Sequence, residues 1–537
     1  MRPLLAFLPR FILTVIATMP VLNGANANEL PSAPPFPIST QEMNILLINV
    51  EDLNCTAVHS YGNPMAKTPH LDAFAKTAIQ FNNAFVQSPV CNASRSSFIT
   101  GLRTSTNNVW GNSDRFEKLA PDWATTIPEH LTTHPIETIC VGKFFHHNYH
   151  ANKQSSAFDR MARTTPPNDY PGEDISYSVP ANTPPNPERN YQWHPNPEVE
   201  TAIAAAWRKS KEIMAANPEG SDEWLRGKKI FQVSQQDRTG DSGEIDERSA
   251  DGIKARIAEV LFKEYASSGK QFFLSLGFGK PHTPMLCPQK YIDLYDRGAI
   301  ELSPATVDAD INVPALARRK DQDHVTFRFL ESEKMTYIAY LACTSFMDAQ
   351  LGYVLDALEE SGLANNTVVI FVSDHGFQLG EHGLWCKNVL FDQTVRVPFL
   401  IRIPGLETNG TQTDALVELV DLYPTICDLL DIPPPHNKLE GTSLLPLLAD
   451  PKRKWKKAAF TELRLGQNTA RTARTATHRY STWHNPEGKL LATELYDLRT
   501  DPLEQHNLAG DPDHRKSENK MAAILKNNWK AATPRIQ

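Results

Sequence analysis

The chain has 537 residues, of which 41% are hydrophobic and 22% are charged, and its formal net charge is −8. This is ordinary globular composition, and the length allows a large core and two or more structural units. The acidic balance implies no basic face, so we predict that nucleic acid is not a partner.

The N-terminus is predicted to be a signal peptide covering residues 1–27. Arg2 and Arg10 accompany a short apolar run, 11–22, and Ala25-Asn26-Ala27 supplies the small residues of a cleavage site. The run is short for a membrane span, and no later stretch reaches about 18 apolar residues. We therefore predict a secreted or periplasmic protein with no membrane contact beyond the signal peptide. An uncleaved anchor is the alternative.

Seven cysteines are scattered along the chain: Cys55, Cys91, Cys140, Cys287, Cys343, Cys386 and Cys427. They form no CxxC pair, which excludes a zinc knuckle. An odd count leaves at least one thiol unpaired in an exported protein. The sequence leaves open whether any of the others pair.

Apolar runs separated by helical patterns predict an α/β fold with a mostly parallel central sheet flanked by helices. The runs that read as buried strands are 44–50, 136–141, 271–276, 367–373 and 398–403. Helical patterns lie between them, for example over 69–78 and 337–358.

Composition changes divide the chain into a main domain, 28–450, and a C-terminal subdomain, 451–537. Residues 151–235 are rich in Pro, Asn, Asp and charge and are predicted to be a loop-rich insertion. A proline run at 433–435 and a basic run at 452–457 mark the boundary. Short strands predicted over 458–462, 478–483 and 491–498 give the subdomain a small antiparallel sheet.

Four of the five predicted strands are followed at once by polar groups suited to an anionic substrate or a hard metal. These groups are Glu51-Asp52, Lys143 with His146, Lys280-Pro281-His282, and Asp374-His375. Ligands of open α/β sheets bind outside the carboxyl ends of the strands. We therefore predict one site at this edge of the sheet.

The carboxylates Glu51, Asp52 and Asp374 would bring three negative charges to that site. Like charges held close resist ionisation unless a cation neutralises them, and oxygen ligands favour calcium or magnesium. The alternative is that Glu51 and Asp52 cap a helix or solvate a turn.

The segment 88–101 is predicted to be a loop that enters a helix, with Gly101 ending the helix. A helix N-terminus offers free N–H groups to an anion, and Arg95 can bind an oxyanion or brace the loop. Cys91 at that terminus could be an activated thiol. From these residues alone, a cysteine hydrolase is a fair interpretation.

Five motifs together resemble the formylglycine-dependent (type I) sulfatases. They are Cys91-Asn92-Ala93-Ser94-Arg95 with Thr100-Gly101, Gly142-Lys143-Phe144-Phe145-His146, Lys280-Pro281-His282, Ser373-Asp374-His375-Gly376 with Gly380-Glu381-His382-Gly383 and Lys387, and Glu494-Leu495-Tyr496-Asp497-Leu498 with Asp501-Pro502 and Asn507-Leu508. The resemblance covers about residues 43 to 510 and is greatest to the iduronate-2-sulfatases. It implies an alkaline-phosphatase-like fold.

The resemblance also implies a mechanism. A separate maturation enzyme would oxidise Cys91 to formylglycine, whose gem-diol attacks sulfur and forms a covalent sulfo-enzyme. One Ca²⁺, rather than Mg²⁺, would be held by Glu51, Asp52, residue 91, Asp374 and His375. Arg95 would brace the formylglycine, and Lys143 and Lys387 would bind sulfate oxygens. His146 would act on the diol as a base or hydrogen-bond partner, and His282 would be the general acid for the leaving alcohol.

The sequence departs from the family pattern at two positions. Glu51 stands where Asp is usual, so the ligand is either kept with a shifted metal or moved outward. Ala93 replaces the commoner proline.

The implied partner is a sulfated carbohydrate, such as a 2-O-sulfated uronate. The alternatives are a phosphate or phosphonate ester hydrolase of the same superfamily and an inactive glycan-binding relative. Lys143 and Lys387 could instead be surface lysines. His382 is expected to be structural, while Arg474 and His478 could reach the pocket from the subdomain.

Overall fold

The secondary structure is taken from a computed structural model that describes residues 39–40, 42–146, 156–162, 175, 177–186, 197–236, 238–302, 311–318, 330–385, 387–435 and 438–534. Its strands are β1 (Asn44–Val50), β2 (Ile79–Phe85), β3 (Glu137–Gly142), β4 (Arg160–Ala162), β5 (Thr239–Asp241), β6 (Phe272–Phe278), β7 (Met285–Cys287), β8 (Thr367–Ser373), β9 (Arg396–Val397), β10 (Phe399–Arg402), β11 (Gln412–Glu418), β12 (Ala459–Leu465), β13 (Asn468–Arg474), β14 (His478–His484) and β15 (Leu490–Asp497). Its helices are α1 (Pro69–Ala75), α2 (Cys91–Thr100), α3 (Thr104–Asn107), α4 (Phe116–Leu119), α5 (Ile127–Leu131), α6 (Pro197–Ala216), α7 (Asp222–Gln236), α8 (Ala250–Ser268), α9 (Gln289–Ile292), α10 (Leu330–Glu360), α11 (Asp392–Val395), α12 (Leu422–Leu429), α13 (Leu445–Ala449) and α14 (Arg515–Asn527). The predicted signal peptide, 1–27, lies outside the described residues.

The central sheet has nine strands and is mostly parallel, as predicted. Its order is β11-β2-β10-β8-β1-β6-β3-β4, and β9 pairs with the end of β2. The four strands β8, β1, β6 and β3 are neighbours and run parallel, so their carboxyl ends share one edge. β10 runs antiparallel to both β8 and β2.

The central strands are apolar throughout because both faces of the sheet are covered. In β1, Ile45 and Leu47 pack into one core, whereas Leu46 and Ile48 pack into the other. Helices α2 and α12 contribute side chains to the first core, and α8 and α10 contribute to the second. The sheet is thus the middle of three layers, and its edge is where polar groups can gather.

All five predicted strands are present, with ends shifted by no more than two residues. Seven strands were not predicted: β2, β4, β5, β7, β9, β11 and β13. The three longest of them show why. β2 has Asn82 and Asn83 in its middle, β11 begins with Gln-Thr-Asp, and β13 alternates small, polar and charged residues. These strands lack the long apolar run because parts of them are exposed or only half-buried.

A separate four-stranded antiparallel sheet, β12-β13-β14-β15, forms the C-terminal part of the fold. Three of these strands were predicted. The helix α14 packs against β13 and β14, and Met521 of this helix joins a small core with Phe460 and Leu495.

A buried cluster of charges links the central sheet to the segment that precedes β12. The Nζ of Lys456 lies 2.8 Å from Glu418 Oε2 and 2.6 Å from Asp421 Oδ1. Arg103 Nη1 binds Glu418 Oε1 at 2.7 Å. Burial alone would raise the pKa of Glu418, but Arg103 and Lys456 hold it at about 2. These two cations therefore neutralise carboxylates that have no access to water.

The interval 151–235, predicted to be loop-rich, contains regular structure in its described part. β4 adds to the edge of the central sheet beside β3, and α6 and α7 pack against each other. α6 is rich in alanine, the strongest helix former.

Six cysteines lie in the described residues, and all six are buried thiols rather than disulfides. Cys386 lies outside the described residues. Among the helices that the structure describes, none combines the length and apolar character needed to cross a bilayer.

Candidate functional site

The polar segments after the four parallel strands lie together at one edge of the sheet. Glu51 and Asp52 follow β1, Asp374 and His375 follow β8, and Lys143 follows β3. His282 comes four residues after β6. The structure therefore brings together groups that are more than 300 residues apart in sequence.

Cys91 is the first residue of α2 and lies among these groups with 1% of its surface exposed. Lys387 Nζ is 3.0 Å from its sulfur, and His375 Nε2 is 3.1 Å from it. Gly101 ends the helix with a positive φ of 66°, as predicted, because a left-handed residue closes the last turn.

Asp52 lies between Lys387 and the two histidines. Lys387 Nζ binds Asp52 Oδ1 and Oδ2 at 2.8 and 3.0 Å. His375 Nε2 is 3.3 Å from Asp52 Oδ1, and His282 Nε2 is 3.9 Å from Oδ2. Asp52 has a φ of 60°, which is uncommon for a residue with a side chain and indicates local strain at the end of β1.

Glu51 stays in the site despite its extra methylene. Its Oε1 pairs with Lys143 Nζ. One ligand atom each from Glu51, Cys91 and His282 lies within 4.8 Å of the others. The Glu51 carboxylate therefore lies close to residue 91, and its role as a metal ligand stays a prediction.

Arg95 is buried with 1% exposure and joins three strand ends. Its Nε binds Asp374 Oδ2 at 2.9 Å, and its Nη1 binds Asn49 Oδ1 at 2.8 Å. Nη1 also donates to the carbonyls of Lys143 and Phe144. Arg95 thus braces the site rather than facing an open pocket.

A glycine makes that contact to the β3 segment possible. Gly142 has a φ of 81°, and a Cβ there would lie 2.5 Å from the carbonyl oxygen of Gly277 on β6. Only a glycine allows the chain to turn at this point, and the turn aims the next two carbonyls at Arg95.

The protein's own cations keep the three carboxylates ionised. Burial alone would raise the pKa of Asp52, but Lys387 and His282 lower it to about 2. Burial is likewise outweighed at Glu51 by Lys143, and at Asp374 by His375 and Arg95, so both pKa values fall below the usual range.

The same charges act on Cys91 and on the histidines. Burial would raise the pKa of Cys91, yet Lys387 and His375 hold it well below its usual value. Burial disfavours the charged form of His375, but Asp374, Cys91 and Asp52 raise its pKa to about 9. The pKa of His282 is raised by Asp52 against the same penalty. The site therefore favours an anion at residue 91 and positive histidines around it.

The donor set fits a hard divalent cation. Ligand atoms of Asp52, Cys91 and His375 lie within 4.8 Å of one another, and each of the two close groups includes one carboxylate, from Glu51 or Asp52. Asp374 belongs to neither close group. Its Oδ1 accepts from the backbone N–H of Asp52 and of His375, and Arg95 binds its Oδ2. His375 would have to lose its proton before it could bind a metal.

Other predicted residues have different surroundings. His146 is buried after β3, and its role stays a prediction. Arg474 binds Asp392, and the ring of His478 lies beside Thr477, while their reach into the pocket stays a prediction. His382 stacks on a phenylalanine ring 3.7 Å away, in agreement with a structural role.

Three site residues were missed from the sequence. Asn49 binds Arg95 and was visible as a polar residue inside the apolar run of β1. Ser94 Oγ donates to the backbone carbonyl of Asp374 at 2.5 Å. Tyr340, on the distant helix α10, donates to the carbonyl of Asp52, and no local signal identifies it.

Two family models together match almost all of the described chain. The family model described as Sulfatase matches residues 43–432, and the one described as N-sulphoglucosamine sulphohydrolase, C-terminal, matches residues 380–531. The iduronate 2-sulfatase of Mus musculus is 27% identical over an alignment that covers 92% of this chain and 96% of the relative.

Solved structures show the same fold. A phosphonate monoester hydrolase of Agrobacterium radiobacter has a TM-score of 0.65 and 21% identity, covering 91% of this chain and 95% of that chain. A protein solved in complex with its substrate, D-glucosamine-2-N,6-O-disulfate, has a TM-score of 0.65 and 18% identity, covering 91% and 97%. These likenesses confirm the predicted alkaline-phosphatase-like fold.

The central position of Arg95 gives a stability prediction. Replacing it in the variant Arg95→Met leaves Asp374 buried without its guanidinium, and we expect a loss of about 3–5 kcal/mol in the free energy of unfolding. Arg95→Lys should lose less, because it keeps the charge but not the forked contacts. Chemical denaturation followed by circular dichroism measures both. The control is Arg471→Met, since the Arg471 side chain is 60% exposed. Equal midpoints for Arg95→Met and this control would contradict the bracing role.

Proposed function

This chain belongs to the sulfatase family, and we propose that it hydrolyses the 2-O-sulfate ester of a uronate in a sulfated oligo- or polysaccharide. As a family member it is a sulfuric ester hydrolase. The substrate and the detailed mechanism are the proposal.

The observation that carries the proposal is the position of Lys387. Its amino group is 3.0 Å from the sulfur of Cys91 and 2.8 Å from Asp52. A cation beside the nucleophile can bind an oxygen of a sulfate group that approaches it. Lys143 supplies a second cation next to Glu51. Two lysines around residue 91 suit an anionic ester.

Formylglycine derived from Cys91 by a separate maturation enzyme would supply, as its hydrate, a hydroxyl nucleophile that cysteine lacks. Around it, residues of this chain would orient the reacting groups and neutralise their charges. Arg95 fixes Asp374, and Ser94 fixes the backbone that carries it. Residue 91 begins α2 and lies beside Lys387.

The residues that would hold a calcium ion are Glu51, Asp52, Asp374, His375 and residue 91. Such an ion would supply charge neutralisation at the sulfate oxygens and make the nucleophile more acidic. Magnesium is the second candidate, since it takes the same oxygen donors.

His282 is the proposed general acid for the leaving alcohol. Its Nδ1 is 2.5 Å from the carbonyl of Thr283, so this nitrogen carries a proton and orients the ring. The other nitrogen, Nε2, faces the carboxylates. Burial lowers the pKa of His282, but Asp52 raises it above its ordinary value, which favours the protonated form that a general acid needs. His146 is the proposed base or hydrogen-bond partner of the diol.

Support for a 2-O-sulfated uronate comes from relatives. The murine relative is named as an iduronate 2-sulfatase, and it aligns over nearly the whole of both chains. The second family model is described as the C-terminal part of an N-sulphoglucosamine sulphohydrolase. N-sulphoglucosamine is again a sulfated sugar. We propose export to the periplasm or beyond, on the signal peptide predicted at 1–27, because such polymers are extracellular.

Phosphonate ester hydrolysis is the second candidate, because a phosphonate monoester hydrolase shares the fold. An inactive glycan-binding relative is the third. The lysines beside residue 91 favour the sulfate ester over both.

The substrate is tested by a desulfation screen. We expect the matured protein to release sulfate, read by ion chromatography, from a disaccharide with a 2-O-sulfated uronate and not from 6-O- or N-sulfated isomers. A phosphonate monoester should react far more slowly. Lys387→Met should lower kcat/KM by about 10²–10³, since it removes a preorganised cation from the nucleophile. Lys454→Met, an exposed control, should be unchanged. Faster cleavage of the phosphonate would support the second candidate instead.

Maturation is tested on the tryptic peptide 77–95. We expect its mass to show replacement of the Cys91 sulfur by oxygen with loss of two hydrogens. Activity should rise with the modified fraction, and Cys91→Ala should be inactive. Cys427→Ala, which removes another buried thiol, should keep the modification and the activity. Full activity with an unmodified thiol would rule out the formylglycine mechanism.

The metal is tested by chelation. Dialysis against EDTA should abolish sulfate release, and added Ca²⁺ should restore it more completely than Mg²⁺, because the site offers many oxygen donors without fixed octahedral geometry. Asp52→Asn should bind Ca²⁺ more weakly in calorimetry. Activity that survives complete metal removal would contradict the metal site.

A further inference from the structure

The basic run at 452–457 contributes most of its cations to the surface. Lys452, Lys454 and Lys457 are exposed, and Arg453 is half-buried. Lys456 alone is buried, where it binds Glu418 and Asp421. That inward lysine fixes the run in place while its neighbours face solvent.

Three of these cations, Lys452, Arg453 and Lys457, line a cleft of about 770 Å³ between the start of β11 and the helix α14. Lys520 of α14 lines the same cleft, and Trp455 forms part of the wall. Within the described residues, Asp414 is the one carboxylate of the lining, and its Oδ1 already accepts a hydrogen bond from Asn82. The cleft is therefore strongly positive in a chain of net charge −8.

Three of the lining cations are not neutralised by a carboxylate of the protein. In the described ranges, Lys452, Lys457 and Lys520 form no ion pair with a carboxylate, in contrast to Lys456. Unpaired cations gathered in one concave surface repel one another, and the repulsion is relieved when a polyanion binds.

The cleft is separate from the catalytic edge. β11 is the outermost strand, three places from β8 and four from β1, which is roughly 15–20 Å at the usual strand spacing. β11 also runs in the same direction as β8, so its first residues, which line the cleft, lie toward the opposite edge of the sheet. A single sugar at Cys91 cannot reach the cleft, whereas a long chain can.

We propose that this cleft is a second binding site for the sulfated polysaccharide, which it holds while another part of the polymer occupies the catalytic site. The inference rests on the proposed function for the class of polymer. Basic runs of this kind bind heparin-like and nucleic-acid polyanions. The concave shape and the indole of Trp455 favour a polymer with apolar sugar faces over a flat anionic bilayer.

The experiment compares two triple variants with equal change of charge. Lys452→Gln/Lys457→Gln/Lys520→Gln removes cleft cations, and Lys118→Gln/Lys263→Gln/Lys489→Gln removes exposed lysines elsewhere. Binding of full-length heparin is measured by calorimetry over a series of salt concentrations. The kcat and KM for a 2-O-sulfated disaccharide are measured in parallel.

We expect the cleft variant to bind heparin at least about tenfold more weakly, with a shallower dependence on salt, because fewer counterions are released. Its kcat and KM for the disaccharide should equal those of the wild type and of the control variant. Unchanged heparin binding, or an equal loss in the control variant, would overturn the proposal.

Two further probes distinguish a polysaccharide site from a site for other polyanions. Duplex DNA and vesicles containing phosphatidylserine should bind more weakly than heparin. If either binds as tightly and loses affinity in the same variant, the cleft is not a polysaccharide site. Because binding is measured without turnover, failure of the disaccharide assay would affect only the proposed function and leave the result for the cleft readable.

Discussion

The buried ion pair between Arg95 and Asp374 is the constraint on which the rest of the site depends. Three strands of the sheet end where one guanidinium binds a side chain from β1, a carboxylate after β8 and two carbonyls after β3. An unpaired carboxylate is costly away from water, so the pair fixes the orientation of Asp374 and, through its Oδ1, the backbone of Asp52 and His375. The positions of the other charged groups follow from that geometry.

Charge balance in the site is local, and each anion has its own cation. Glu51 pairs with Lys143, Asp52 with Lys387, and Asp374 with Arg95. Three carboxylates can therefore be ionised side by side before any metal is considered. The arrangement also leaves Lys387 beside residue 91 and Lys143 beside Glu51, so the cations that neutralise the carboxylates lie where a sulfate ester would bind.

The sequence predicted the sheet and its polar edge because those features have strong local signals. A strand buried on both faces must be apolar along its length, as in β1 and β8. The edge strand β11 and the polar β2 escaped prediction because their burial depends on neighbours distant in the chain. Tyr340 could not be found for the same reason. The net charge of −8 argued against a basic face. A charge summed over the whole chain cannot show that five cations lie together at 452–457.

The inward lysine of that run has an evolutionary consequence. Glu418 and Asp421 lie in the stretch 380–432, which the two family models share, whereas Lys456 lies beyond it. Recombination that grafted the last sheet from one homologue onto another would succeed only if the donor brought a matching cation. The two acids and the segment that leads into the terminal sheet are thereby coupled energetically, so neither can be exchanged without regard to the other.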